Sequence, residues 1–380
     1  MRLSKFVFLI LKQQIILAFL FLYIFLLSFA LSAQPDTAIK ISYEAGILSL
    51  QNDVMERQFK YDSSSPIHLF YPLSWVDKKR GLELLKGNSK KWFEFCLENK
   101  LIVSEHGGWD YDGYEKRPLE NGGTEIVVRL VGQKSVSSVH ARLQLFYRLQ
   151  IFPNSNFIRE RLEIAPNGAE SIALNKYKDQ IRLVFPKYYF TVSEAENLKI
   201  QEVRLAEWEG EILSQIDWSL RPNDRLQLSG GKSGRNLAQN HMYHPKRIVT
   251  PRIQTGFAQE MKGPIGIILD SQKQAGIIVA YEHGSPDDDS TQNYLALGLE
   301  LKEVQTLKTS VQALKGAYLD GEEITASNPY ATVWVDVGYF QGDTLDDGEA
   351  AFWKFLYFNQ SEHLASRLPT FYYNTWGLQR

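Results

Sequence analysis

The sequence has 380 residues, 44% hydrophobic and 13% aromatic, enough to bury large cores and to allow two or three domains. Its 42 Lys and Arg are scattered among 44 Asp and Glu for a formal charge of −2, so no basic footprint forms and a nucleic-acid partner is excluded. The one cysteine, Cys96, excludes intramolecular disulfides; beside Phe93, Phe95 and Leu97 it reads as a small buried apolar residue rather than a nucleophile.

In chain order, Arg2, Lys5 and Lys12 precede the uncharged stretch Ile15–Leu31, followed by Ser32, Ala33 and Gln34. That order predicts a signal peptide over residues 1–33, cleaved after Ala33, and an exported protein, periplasmic or extracellular. The apolar run, 17 residues long, also suffices for an uncleaved anchor over residues 15–31, the one membrane contact that the sequence supports.

From Ile39 to about Phe340 strand patterns alternate with turn signals, which predicts an all-β domain over residues 34–345. The clearest strand is Ala141–Ile151. Ala141, Leu143, Leu145, Tyr147, Leu149 and Ile151 share one face, and Arg142, Gln144, Arg148 and Gln150 the other, a polar face that Phe146 interrupts. Pro153 to Asn156 turn the chain and Phe157–Ile164 returns, giving an antiparallel hairpin. Further turns fall at Gly122-Gly123, Gly230-Gly231, Ser271 to Gly276 and Asp320-Gly321. The stretch Val333 to Phe340 carries apolar groups on both faces and is expected between two layers. So many strands exceed what one small sandwich needs, and a large two-sheet architecture follows.

The pattern changes at Asp346, where Asp346 and Glu349 resemble a capping box and Phe352, Phe355, Leu356 and Phe358 recur at helical spacing. One helix, roughly Asp347 to Ser366, is expected within a linker at 346–367. After Pro369 an aromatic strand, Phe371 to Tyr373, ends at Asn374, Thr375 and Trp376. It suits the first strand of a parallel (β/α) barrel over residues 368–380, with Trp376 at the mouth of a site, and equally an aromatic strand closing the sandwich core.

Few constellations point to chemistry. Asp287, Asp288 and Asp289 read as a solvated loop tip rather than a calcium site, and His241 with His244 lacks a third ligand, so no metal and no cofactor are expected. The stretch from Ser229 to Gly234, SGGKSG, lacks the spacing of a phosphate loop. In EHGGWDYDGYE, Glu105–Glu115, Trp109, Asp110 and Tyr111 place aromatic faces beside a carboxylate, the pairing with which proteins contact sugars, although a plain surface loop has the same composition.

Four segments, ISYEAGILSLQNDVMERQFKYD, YRLQIFPNSNFIRERLEI, LKGAYLDGEEITASNPYATVWVDVGYFQGDTLDDGEAAFWKFL and LPTFYYNTWG, in that order and spacing, resemble the N-terminal region of glycoside hydrolase family 36, the α-galactosidases. The resemblance spans residues 39–380 and implies a β-supersandwich, a helical linker and the start of a catalytic barrel. It implies Asn374 and Trp376 as substrate-binding residues, with Gly377 where the family has Glu. It also implies that the two catalytic aspartates of a retaining mechanism lie beyond Arg380, so that this chain is the non-catalytic front portion of the enzyme. A carbohydrate partner follows, and a homo-oligomer is compatible with the sequence. A stand-alone carbohydrate-binding or structural sandwich, and the same region of an α-glucosidase-like enzyme, remain alternatives.

Overall fold

The computed structural model describes residues 39–360 apart from 86–88, 98–99, 169, 174–181, 195–196, 206–212, 219–247, 250–258, 262–263, 283–293, 304 and 315–322. The expected signal segment, the turns at Gly230-Gly231 and Asp320-Gly321, the aspartates at 287–289, His241, His244 and the aromatic strand at 368–380 all lie outside these residues.

The strand patterns fold as read, into an all-β sandwich. Among the described residues one layer is an eleven-stranded sheet and the other is divided into sheets of five and six strands, joined by a bridge between Leu85 and Phe190, with a separate two-stranded ribbon of Ile172–Ala173 and Glu323–Ile324. The expected second sheet is therefore two.

Five adjacent antiparallel strands of the large sheet matter most: β1 (Trp109–Pro118), β2 (Thr124–Gly132), β3 (Leu143–Ile151), β4 (Phe157–Pro166) and β5 (Val335–Gln341). The strand expected from Ala141 starts at Leu143, because Ser138–Ala141 form a helical turn capped by the Ser137 hydroxyl. The hairpin of Ile265–Asp270 with Ala275–Tyr281 forms as its turn signal implies.

Period-two alternation sends Leu143, Leu145, Tyr147, Leu149 and Ile151 inward, all at or below 1% exposure. There Tyr147 meets Phe59 of the five-stranded sheet at 5.4 Å and Phe185 of the six-stranded sheet at 5.8 Å. One apolar core thus serves these three sheets and takes in Ile172 and Ile324 of the ribbon. Cys96 is buried, as its apolar neighbours imply.

That core encloses charge. Arg57, 0% exposed, lies over the rings of Phe59, Trp75 and Tyr188 at 4.8 to 5.2 Å, and its Nη1 donates to the Ser74 carbonyl at 3.1 Å. Glu160, which points inward from β4, accepts hydroxyl hydrogen bonds from Tyr147, at 2.5 Å, and from Tyr188. Burial pushes the Glu160 carboxyl up, against the pull of the two tyrosine hydroxyls and of Arg57.

The outer face of the large sheet has two halves. Helix α1 (Leu345–Phe355), continued by a π-helical turn over Leu356–Gln360, covers one half. Phe352 and Phe355 sit there on Phe157, Phe340, Ile267 and Ile278, with the Phe355 ring stacked on Phe157 at 4.7 Å. β5 accordingly lies between two layers, sheet below and helix above. The helix begins earlier than its sequence suggested: Thr344 is the cap, its hydroxyl accepting from the Asp347 amide at 3.2 Å while the Asp347 carboxylate accepts from the Thr344 amide at 3.0 Å, which leaves Asp346 inside the first turn. The other half of the outer face carries no helix among the described residues.

Candidate functional site

The open half of the outer face holds a cleft of about 420 Å³. Its walls come from Asp112 to Glu115 and Arg117 on β1, Val127 and Arg129 on β2, Phe146 and Arg148 on β3, Glu163 on β4, and Ala326 and Pro329 of a turn. The register aligns these side chains in rows across the sheet. Phe146 stands between Arg129 and Glu163 in one row, and Arg148 between Val127 and Arg161 in the next. Two arginines directly opposite each other repel. Here Glu163 accepts from both, and Glu125 pairs with Arg148 at 3.2 Å, which makes the row tenable. Burial works against the Arg148 charge, but Glu163 and Glu125 outweigh it and raise its pKa.

β1 reaches the cleft with consecutive residues because a bulge breaks its alternation between Tyr111 and Tyr114. Gly113 there adopts φ +93°, and a Cβ on it would meet nothing within 4 Å, so backbone conformation rather than space calls for glycine. The bulge puts Asp112 on Arg129 at 3.0 Å and returns Tyr114 to the inner face, opposite Val128 and packed on the main core. Arg117 pairs with Glu115 at 2.7 Å and with Glu125 at 3.9 Å.

The cleft is therefore lined by three arginines and three carboxylates, every one in an ion pair, around the half-buried ring of Phe146. Phe146 stacks on no other ring among the described residues. An apolar face ringed by guanidinium donors and carboxylate acceptors is what a sugar needs, with C–H groups on one side and hydroxyls around its edge. The signal was present in the sequence as the aromatic residue that interrupts a polar strand face.

The residues singled out in Glu105–Glu115 go to different places. Trp109 is 1% exposed, packed on Phe93 and His140, and offers no face to a ligand. Tyr111 turns into the interior, stacked on Tyr43 at 4.4 Å, and burial raises its pKa. Asp110 stays half-exposed and takes hydrogen bonds from His68 at 2.6 Å and Gln133 at 3.0 Å, while the Tyr61 hydroxyl lies 2.9 Å from the same ring nitrogen of His68. The His68 carbonyl accepts from the backbone of Gly108 and Trp109, so these bonds tie a loop over the end of β1. The contribution of the stretch to the cleft begins at Asp112. Asn374 and Trp376 lie outside the described residues.

Where α1 meets the open half, Gln360 donates to Glu282 at 3.0 Å and to buried Asp336 of β5 at 2.6 Å, and Arg159 grips Glu282. Burial first, then the Glu282 charge, pushes the Asp336 carboxyl well up, with Arg159 opposing. A carboxyl whose folded pKa is raised holds its proton better folded than unfolded. Its contribution to stability is complete below the ordinary carboxylate pKa, about 3.9, and is lost as pH rises through the raised value. Asp336→Asn should therefore flatten the fall in stability on the alkaline side of that window. A denaturation midpoint profile across pH 4 to 9 unchanged by the substitution would refute the assignment.

No family model matches the sequence, and neither does any curated protein. Among solved structures, the chain is similar to the galactosidase domain of an α-galactosidase–sucrose kinase, 10% identical, with TM-score 0.48 over 80% of this chain and 42% of that one. It is similar as well to a family 36 α-galactosidase from Geobacillus stearothermophilus, 10% identical, TM-score 0.46, over 80% and 41%. A galactose mutarotase-like protein from Clostridium acetobutylicum matches over 80% of this chain and 99% of its own, 10% identical, TM-score 0.43. The likeness is one of fold alone. The chain spans about two fifths of the α-galactosidase chains.

Proposed function

We propose that the chain is the non-catalytic N-terminal portion of an exported, α-galactosidase-like retaining glycoside hydrolase, and that its sandwich holds carbohydrate in the cleft over Phe146. The observation that carries the binding role is the pairing of the Phe146 ring with ion-paired donors and acceptors on an open sheet face. The order of the four sequence segments supports the enzyme class. Retention needs two carboxyl groups about 5 to 5.5 Å apart, one of them able to give up a proton. The cleft carboxylates are each engaged by a guanidinium, an arrangement for accepting hydroxyl hydrogen bonds rather than protonating a leaving group. On this reading Asn374 and Trp376 contact substrate in the barrel, and the sandwich acts beside it.

Calorimetric titration of the purified chain with α-galactosides, run beside an assay on nitrophenyl α-galactoside, tests the reading. Binding without turnover is expected; turnover by this chain would place a complete catalytic site inside the sandwich and overturn it. That the cleft is built wholly from this chain also favours a second reading, a carbohydrate-binding sandwich that works without a catalytic partner. The reading frame after Arg380 separates the two.

A further inference from the structure

The lining of the cleft goes further than carbohydrate in general. Asp112 pairs with Arg129, Glu115 with Arg117, and Glu163 with Arg148 and, just behind it, Arg161; Glu125 pairs with Arg148 and Arg117. Four guanidiniums thus meet four carboxylates, and none of the four pairs is left with surplus charge. A sugar carrying a carboxylate would meet no unmatched cation there and would stand beside four carboxylates, with the repulsion least screened at the buried Glu163–Arg148 end, a cost that opposes binding. A neutral sugar meets no such repulsion. Its hydroxyls donate to carboxylate lone pairs and accept from guanidinium N–H groups that the ion pairs leave over, since a guanidinium has five donors and a carboxylate about four acceptor sites.

We infer that the cleft between Asp112 and Glu163 is a subsite for a neutral glycan, with Phe146 as the stacking platform, and that its closed ion-pair set rejects uronic acids. The inference rests on the carbohydrate reading above and adds the charge of the ligand. Phe146 supplies affinity by covering one C–H face, and the paired ions supply selectivity. The selectivity is built by pairing rather than by net charge, so removing one acid should invert it.

The test compares a neutral galacto-oligosaccharide with a galacturonic acid oligomer of equal length, by calorimetry on the full chain at pH 7 and one fixed salt concentration. The unaltered chain should prefer the neutral oligomer by about tenfold or more, and Phe146→Ala should weaken that binding by about tenfold. Asp112→Asn, at a half-exposed position, frees Arg129 and should raise affinity for the uronate about tenfold, the size of one charge-assisted hydrogen bond. Glu163→Gln frees Arg161 and leaves Arg148 with Glu125 alone, and should do the same; because Glu163 is buried, the Asp112 variant carries the test if that chain does not fold. Uronate binding as tight as neutral binding in the unaltered chain, or no gain for uronate in either acid-to-amide variant, would overturn the inference and leave the carbohydrate reading standing. Failure of both oligomers to bind, or neutral binding indifferent to Phe146→Ala, would overturn the two together.

Discussion

Glu160→Ala is expected to lower the stability of the sandwich by ~3–5 kcal/mol, the range measured when one partner of a buried charge network is removed. Glu160 is enclosed between the layers, where it gathers the Tyr147 and Tyr188 hydroxyls and faces Arg57. Removing it strands two buried hydroxyls and a guanidinium that has three aromatic rings and a carbonyl for company. The double change Arg57→Met with Glu160→Leu removes both charges and should recover much of the loss, because burying an ion pair gains little over apolar packing. Urea denaturation of the two variants decides the matter. A single-variant loss below ~1 kcal/mol would mean that the charges do not depend on each other.

Phe355→Ala should cost ~3–5 kcal/mol at the helix, by emptying the volume between Phe157, Phe152 and Phe352. The loss should stay local. The cluster under α1 is separate from the main core, and the helix touches the sheet through it. Amide exchange should accelerate over Leu345–Phe355 while the inner strands keep their protection. Equal acceleration in β3 and β4 would show that helix and sandwich unfold as one unit, contrary to two separate clusters.

The sequence makes the strands legible wherever one face is buried. In β3 every second residue is apolar, and the structure buries that set; in β5 both faces are apolar, and two layers cover it. The division of the second layer is not legible, because period-two patterning says which way a side chain points and nothing about which strand lies beside it. The cap of α1 slips by two residues for a related reason: Asp346 and Thr344 are both good caps, and only the reciprocal bonds with Asp347 choose between them. At the site, Phe146 is visible as an exception to its strand. The acids around it differ: Glu163 lies on the return strand of a hairpin that the sequence shows, whereas Asp112 comes from a strand two places away, a position that only the order of the sheet sets. Trp109 and Tyr111 mislead because their alternation with Asp110 fixes opposite directions without saying that their own side is the inward one.

One consequence follows from the end of the large sheet. Among the described residues β1 is its outermost strand on that side, a position whose unpaired backbone groups can recruit a strand from another molecule. The His68 carbonyl occupies the Gly108 and Trp109 amides where the strand begins, the bulge at Gly113 bends its middle, and Glu115, Lys116, Arg117 and Pro118 crowd its far end with charge and a residue that cannot donate. This border of the sheet is thus a poor template for self-addition, and the bulge that sets Asp112 against Arg129 at the cleft also bends the edge away from the flat geometry that pairing of neighbouring copies needs.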